Sequence, residues 1–472
     1  MSGLTTRIIV GSCSLLLAAC TVGPDYVKPT PLEKMPTAYK ELEGWKVAQP
    51  QDGRVTEKWW KIYSDPVLNS LEEQIVISNL TVATAEARFR QARAAVQIAK
   101  SGYFPSLSAG ASATRSQRSG NLGAVSSRPT SDFQIPLELS WELDLWGRVR
   151  RSVEASKANA QASAADLASI TLSSQAALAS DYFQMRILDA QIKLMDATIR
   201  VYRKSLDMTN NRYTAGIAAK TEVLQAETQL KSTEAQAIDL GVQRSQLEHA
   251  IALLIGKPPA SFSLSPTILI TTVPLIPAGL PSEILERRPD IASSERSVAA
   301  ANAQIGIAKA AYFPTIKLAA SAGLEASSIA SLLSWPSRFW SVGPTISATL
   351  FDGGLRTAQS DQVKAAYDAT VSTYRETVLT AFQEVEDNLV ALRILEEETR
   401  VQDQAVKAAE QVVTITTNQY QSGTVAYLNV LVAQSTSLAN ERTALGLLGR
   451  RLTASVLLVK ALGGGWVPKE VK

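Results

Sequence analysis

Histidine is almost missing from this chain of 472 residues, with His249 the only one. A catalytic triad or a zinc site of common type needs a second imidazole or a thiol beside it. Thiols are as scarce. Cys13 and Cys20 are the two cysteines, and Cys13 lies inside what reads as a secretion signal. The mature chain therefore cannot form an intrachain disulfide. Five methionines provide no soft-metal relay. The net charge is only +3, with both signs mixed along the chain, so no basic block points to nucleic acid. After the first 20 residues no apolar run reaches 18, which excludes a membrane-spanning helix and leaves strands as the only spanning option. Gly463-Gly464-Gly465 lacks the lysine and helix start of a phosphate loop. We therefore assign no catalytic residue, no metal ligand and no cofactor beyond a covalent lipid.

That lipid is implied by the N-terminus. Arg7 is a short basic start, Ile8 to Ala18 is apolar, and Leu17-Ala18-Ala19-Cys20 closes the segment. This pattern reads as a secretory signal. It also resembles a bacterial lipobox, which makes Cys20 the acylated first residue of the mature chain. Thr21 occupies a position where aspartate tends to retain such lipoproteins at the inner membrane, so export to the outer membrane is expected. Residues 21–58 carry Pro24, Pro29, Pro31, Pro36 and Pro50 and read as an extended linker.

The rest of the chain contains itself twice. Ala99-Lys100 and Tyr103-Phe104-Pro105-Ser106-Leu107 return as Ala308-Lys309 and Tyr312-Phe313-Pro314-Thr315-Ile316, a shift of 209. Tyr213, Gly216 and Val223-Leu224 return as Tyr420, Gly423 and Val430-Leu431, a shift of 207. Repeats this long mean duplication of a whole architectural unit rather than a short solenoid.

Each half carries two alternating segments. In 133–145, Phe133, Ile135, Leu137, Leu139, Trp141, Leu143 and Leu145 share one face, and Gln134, Glu138, Glu142 and Asp144 share the other. That is a strand period over thirteen positions. Segment 105–114 alternates more weakly, with Leu107, Ala109, Ala111 and Ala113 on one face. In the second half, Ile316, Leu318, Ala320, Ala322 and Leu324 alternate, and then Trp340, Val342, Pro344, Ile346, Ala348 and Leu350. Polar connectors at 115–130 and 327–337 join the pairs. The length exceeds the 9–11 residues a tilted strand needs to cross a bilayer. Aromatics at the strand ends (Tyr103, Phe104, Tyr312, Phe313, Trp146, Trp335, Trp340) match interfacial girdles. The apolar face of 133–143 is thus expected to touch lipid.

Between these segments the chain reads as helix. Stretches 148–213 and 355–421 contain neither proline nor glycine, and at 1.5 Å per residue each reaches about 100 Å. Apolar residues recur at sevens, as Ile187, Leu194, Val201 and Met208, and as Val371, Val378, Val385 and Leu392, which predicts coiled-coil packing. Return helices follow at 218–254 and 426–462, and shorter ones lead into the strands at 80–102 and 290–311. The fold class is mainly α with a membrane β-barrel section, built from duplicated long helical hairpins. Four strands cannot close a barrel, and an open edge in lipid leaves backbone groups unpaired. Several copies must therefore share one barrel, and three would give twelve strands and a twelve-helix tunnel.

These residues resemble a known family. The lipobox with Pro24-Asp25-Tyr26, Trp59-Trp60 with Asp65-Pro66, Leu285-Glu286-Arg287-Arg288-Pro289-Asp290, the repeated Tyr-Phe-Pro, Trp146-Gly147-Arg148 against Asp352-Gly353-Gly354, and the closing Ala461-Leu462-Gly463-Gly464-Gly465-Trp466 look like TolC-type outer-membrane factors. The lipoprotein, NodT-like branch serving resistance-nodulation-division efflux pumps is the nearest. The resemblance implies a homotrimer in the outer membrane, lipid-anchored and extending into the periplasm. It would be a passive exit duct, partnered by a periplasmic adaptor and an inner-membrane transporter, with no enzymatic activity. The implied organisation is a signal peptide at 1–19, a lipidated equatorial linker at 20–58 and a first repeat at 59–255. An inter-repeat linker at 256–280, a second repeat at 281–462 and an equatorial tail at 463–472 complete it.

The resemblance also places the periplasmic tip, where adaptors dock, at Arg212, Tyr213 and Gly216 in the first hairpin and Gln419, Tyr420 and Gly423 in the second. The pore constriction falls on Leu428, Asn429 and Val432. Val432 stands where the lipoprotein branch usually carries an aspartate, so an apolar gate is expected in place of a carboxylate ring. The same fold also serves type I protein secretion. A structural, adhesin-like trimeric stalk is the rival of another class, and the strands in both halves argue against it.

Overall fold

The computed structural model describes residues 21–32, 36–41, 58–119, 121, 128–267, 272–276 and 287–466. The signal segment, Cys20, most of the 33–57 stretch, Leu285-Glu286 and the last six residues lie outside the described residues. A 3₁₀ turn, Trp59–Tyr63, precedes α1 (Pro66–Ser78) and α2 (Leu80–Ser101). Next come β1 (Ser106–Ala109), β2 (Ser112–Ser116), β3 (Thr130–Glu142), α3 (Arg148–Thr214) and α4 (Lys220–Leu254). The second half repeats the order with α5 (Pro289–Ala310), β4 (Thr315–Ala326), β5 (Arg338–Ser347), α6 (Leu355–Gln421) and α7 (Tyr427–Ala461). The chain divides into two compact units. The first comprises Met1–Thr30, Phe89–Ser163 and Ser293–Tyr374, and the second comprises Pro31–Arg88, Ala164–Ala292 and Arg375–Lys472.

The first unit holds one antiparallel sheet in the order β1-β3-β4-β5, with β2 also paired to β3. β1 and β2 keep one register against β3, from Ser106↔Ser140 to Ser116↔Thr130, so they are one strand with a gap. The gap falls opposite Pro136. Gly110 N–H donates to the Pro136 carbonyl at 3.0 Å, but Pro136 has no N–H to return. Proline in a central strand is rare for that reason. Here its other neighbour is Gly323, where an added Cβ would lie 2.3 Å from the Ile135 carbonyl oxygen. Glycine at 323 lets the β4 backbone close on this point, whereas a Cβ at Gly110 would make only ordinary contact with the proline ring at 3.6 Å.

Opposed residues in an antiparallel ladder share a face. Leu139 lies between Leu107 and Ala320, Leu137 between Ala109 and Ala322, and Ile135 beside Leu324. Ala320 pairs with Val342 and Ala322 with Trp340. The apolar sets of all strands therefore form one continuous face. Glu138 shares the other face with Ser108 and Ser321, and Glu142 shares it with Lys317.

The strands stop earlier than alternation suggests. β3 ends at Glu142, so Leu143 lies beyond it, though its N–H still donates to the Ile316 carbonyl at 2.9 Å. β5 ends at Ser347, leaving Ala348 and Leu350 outside. Aromatics close this end of the sheet. Trp146 stacks on Phe313 at 4.8 Å and donates from Nε1 to the Pro314 carbonyl at 2.7 Å. Trp141 Nε1 donates to the Tyr103 carbonyl at 3.0 Å.

The extended N-terminal segment packs against the same unit. Val22 N–H donates to the Trp146 carbonyl at 3.2 Å, and Asp25 meets the Arg151 guanidinium at 2.9 Å. Tyr26 O–H donates to Glu295, and Asn302 Nδ2 donates to the Pro24 carbonyl at 3.1 Å. Gly23 lies so close to Gly306 that a Cβ would meet its Cα at 2.6 Å.

In the second unit, Asp65 caps α1 by accepting from Val67 N–H at 2.8 Å and Leu68 N–H at 3.0 Å, with Pro66 at the first helical position. Trp59, Tyr63, Tyr182 and Phe183 form a buried aromatic cluster. Glu72 of α1 is buried, and neither carboxyl oxygen has a hydrogen-bond partner among the described residues. Burial pushes that carboxyl well above the usual range.

The long helices are uninterrupted at 67 residues each. In α6, Val378, Val385 and Leu392 of the sevenfold pattern are buried, joined by Ala381 and Leu389. In α3, Ile187 of the sevenfold pattern is buried and Leu194 and Met208 are half-buried against core clusters, but the frame breaks at Val201. Met195, Tyr202 and Thr209 are buried, while Val201 is 48 % exposed. The helix carries apolar residues on two adjacent stripes, and both contribute to packing within the chain, with Tyr202 taking the buried place at the level of Val201.

Candidate functional site

The two helical hairpins of the second unit end in the same backbone turn. At the end of α3, Gly216 has φ 73°. Its N–H donates to the Tyr213 carbonyl at 2.9 Å, and Ile217 N–H donates to the Arg212 carbonyl at 2.8 Å. At the end of α6, Gly423 has φ 80°. Its N–H donates to Tyr420 at 3.0 Å, and Thr424 N–H donates to Gln419 at 2.9 Å. This is the Schellman cap, and the left-handed residue it needs explains both glycines.

The side chains of the two turns are not equivalent. Tyr420 is 1 % exposed, whereas Tyr213 is 40 % exposed and lies under Lys220 Nζ at 5.3 Å. Tyr420 packs edge-on against Tyr427 at 5.4 Å, within a cluster that includes Ala226 and Val430. Its O–H donates to Glu222 Oε2 at 2.9 Å. Arg212 lies over the Tyr420 ring at 4.6 Å and donates from Nη1 to the Tyr420 carbonyl at 3.1 Å. Burial, then the bond to Glu222, raises the Tyr420 phenol, with Arg212 opposing. Burial pushes Tyr427 up to about 12. Arg212, Tyr420 and Glu222 thus tie the end of α6 to both helices of the first hairpin. Gln419 is exposed, and its carbonyl accepts from Thr424 N–H and from the Ser422 and Thr424 hydroxyls.

The gate residues named from the sequence lie on one side of α7. Leu428 is 50 % and Val432 54 % exposed, and Asn429 is exposed with them. They line a shallow groove of about 420 Å³ with Val412 and Thr416 of α6. Within one chain this face is uncovered, so the packing expected of Leu428 and Val432 is not made inside the chain.

On the sheet, Ile135 and Leu137 are exposed and Phe133, Leu139 and Trp141 half-buried, all on the apolar face. His249 is exposed on α4.

Glu222 and Tyr427 escaped the sequence reading. The repeat itself held the signal. At the shift of 207, Arg212 faces Gln419, Lys220 faces Tyr427, Glu222 faces Asn429 and Glu227 faces Gln434. Between Glu410 and Glu441 the second hairpin has no charged residue, while the first carries nine from Arg203 to Glu234. The ionic partners of Tyr420 could therefore come only from the first hairpin.

Comparison with known proteins bears on this arrangement. The family described as outer membrane efflux protein matches residues 71–257 and 280–464. TtgC of Pseudomonas putida, described as a probable efflux pump outer membrane protein, is 31% identical over 465 residues, covering 98% of this chain and 94% of TtgC. The solved outer-membrane channel OprN superposes with a TM-score of 0.89 at 31% identity, over 95% of this chain and 100% of OprN. The open state of the Neisseria gonorrhoeae MtrE outer membrane channel superposes with a TM-score of 0.83 at 28% identity, over 94% of this chain and 98% of MtrE.

Proposed function

Since this chain belongs to the outer membrane efflux protein family and is the outer-membrane channel of an efflux pump, we propose that it works as a lipid-anchored homotrimer. A periplasmic adaptor and an inner-membrane resistance-nodulation-division transporter complete the pump. The observation that carries the trimer is the sheet. One face is apolar along every strand, and both edges, β1/β2 and β5, are unpaired among the described residues. Unpaired edges in lipid cost several kcal/mol per backbone group. Edge-to-edge pairing of three copies removes all of them and closes twelve strands around a polar lumen.

The N-terminal segment supports the lipid anchor. Thr21 lies against Gly147, where a Cβ would meet its Cγ2 at 2.7 Å. The residue after Cys20 is thus held a few positions beyond the end of β3, at the level of the Trp146–Phe313 stack. An acyl chain on Cys20 would start at the membrane interface.

The tip of the second unit is the adaptor-facing end. Arg212, Tyr213, Gln419 and Tyr420 are its docking residues, and Leu428, Asn429 and Val432 line the constriction where copies meet. The protein conducts passively, and the energy comes from the transporter.

The test is assembly and conduction by the purified chain. We expect a heat-resistant complex of three times the monomer mass that conducts in planar bilayers. A monodisperse monomer without conductance sinks the proposal. Cys20→Ser is expected to abolish fatty-acid labelling while leaving assembly largely intact, and labelling that persists removes the anchor from the reading.

A further inference from the structure

Charge is sorted across the sheet at the end away from the helices. β1, β3, β4 and β5 all join helices at one end, around Tyr103, Trp146, Tyr312 and Leu355. At the opposite end the strands are followed by the connectors after Ser116 and Ala326. Arg115 of β2 continues the apolar face, two residues past Ala113, and Arg338 of β5 continues it two residues before Trp340. Asp132 and Glu325 lie at the same level but on the polar face, opposite Thr114 and Gln134. Arg115 and Arg338 thus lie on the apolar face and Asp132 and Glu325 on the polar one.

The distances fit a membrane boundary. Leu107 to Arg115 and Ile346 to Arg338 are each eight residues, which at about 3.3 Å per residue and a 35–45° tilt rise about 20 Å, most of the ~25 Å apolar band of an outer-membrane barrel. Both arginines are exposed. Arg115 makes no side-chain hydrogen bond or ion pair among the described residues, and the Arg338 guanidinium lies against the exposed Trp335 indole. Guanidinium and indole side by side suit the headgroup layer, where the ring sits among acyl ends and the cation meets phosphate.

β1/β2 and β5 are the two open edges of the sheet. Edge pairing between copies brings Arg115 of one chain to the same side and end as Arg338 of the next, with no acid on that face to separate them. We propose that each such junction binds a phosphate of an outer-leaflet lipid headgroup, clamped between the two guanidinium forks. Three junctions give three sites, each incomplete in a single chain. The site rests on the spanning, trimeric reading of the sheet.

The probe is bisphosphorylated lipid A, compared with its dephosphorylated form, each doped into phosphatidylcholine nanodiscs holding the trimer. Native mass spectrometry counts retained lipid after a detergent wash. The wild type should retain the phosphorylated form several-fold over the dephosphorylated one, up to three per trimer. Arg115→Gln with Arg338→Gln should lose that preference and keep conductance, and Arg115→Lys with Arg338→Lys should keep part of it. Equal retention by the Gln pair and the wild type, or no preference for phosphate in a conducting wild type, overturns the site alone. A wild type that neither inserts nor conducts overturns the spanning reading with it.

Discussion

Tyr420→Phe isolates one hydrogen bond at the tip. The ring stays, so its contact with Tyr427 at 5.4 Å and with Arg212 at 4.6 Å is retained and the turn at Gly423 is undisturbed. Only the O–H to Glu222 Oε2, 2.9 Å long, is removed. A bond to a charged group contributes about 1.5–3 kcal/mol. Glu222 is half-buried, so water replaces part of the loss and about 1 kcal/mol per chain is the better figure. If three copies close together, the closed state loses about 3 kcal/mol, which shifts the open-to-closed ratio about 150-fold. Planar-bilayer recordings should show higher resting conductance, and cells should become sensitive to large antibiotics such as vancomycin. A Tyr420→Phe channel matching the wild type, beside an opened Leu428→Ala/Val432→Ala channel, would refute the reasoning. Closure would then reside in apolar contacts between copies across the exposed face of α7.

Other changes test the body of the protein. Glu72→Leu removes a buried, unpartnered carboxyl and should raise the unfolding temperature, since such a group costs about 1–3 kcal/mol. Its folded pKa lies above the unfolded 4.5, so the native state holds the proton longer and wild-type stability falls as pH rises from that value; thermal melts of the variant should depend less on pH. Gly323→Ala drives a Cβ to 2.3 Å from the Ile135 carbonyl, and the yield of heat-resistant trimer should drop while a Gly343→Ala control, with open space around its Cβ, assembles. Leu137→Arg on the apolar face should cost about 2–4 kcal/mol near the bilayer midplane and Glu138→Arg on the polar face little, read as trimer stability on gels; equal behaviour would argue against a spanning strand.

The strands were legible because their two faces meet two solvents, and a period of two survives any loss of local propensity. Their ends were less so. Leu143, Leu145 and Leu350 keep the alternation going after the last ladder residue, because apolar side chains remain favourable at an interface where the backbone has already turned away. The helical hairpins were legible from the missing glycine and proline, and their turns from Gly216 and Gly423. The packing of α3 was legible at Ile187, Leu194 and Met208 but not at Val201, since Val201 and Tyr202 both sit on apolar faces and periodicity cannot say which one the chain covers itself. The partner of Tyr420 was hidden for another reason. Glu222 lies 198 positions away, and only the folded hairpins bring the two together.

Identical turns bearing different side chains have a consequence for symmetry. In the proposed trimer, three copies would present six hairpin tips that share one backbone shape, so the rim would be sixfold to anything that reads shape or main-chain groups. Arg212, Lys220, Glu222 and Glu227 alternate around it with Gln419, Tyr427, Asn429 and Gln434, so the same rim is threefold to anything that reads charge. A partner ring of six subunits can therefore seat on every tip while only alternate subunits form ionic contacts. Salt would weaken three of its contacts and spare the other three.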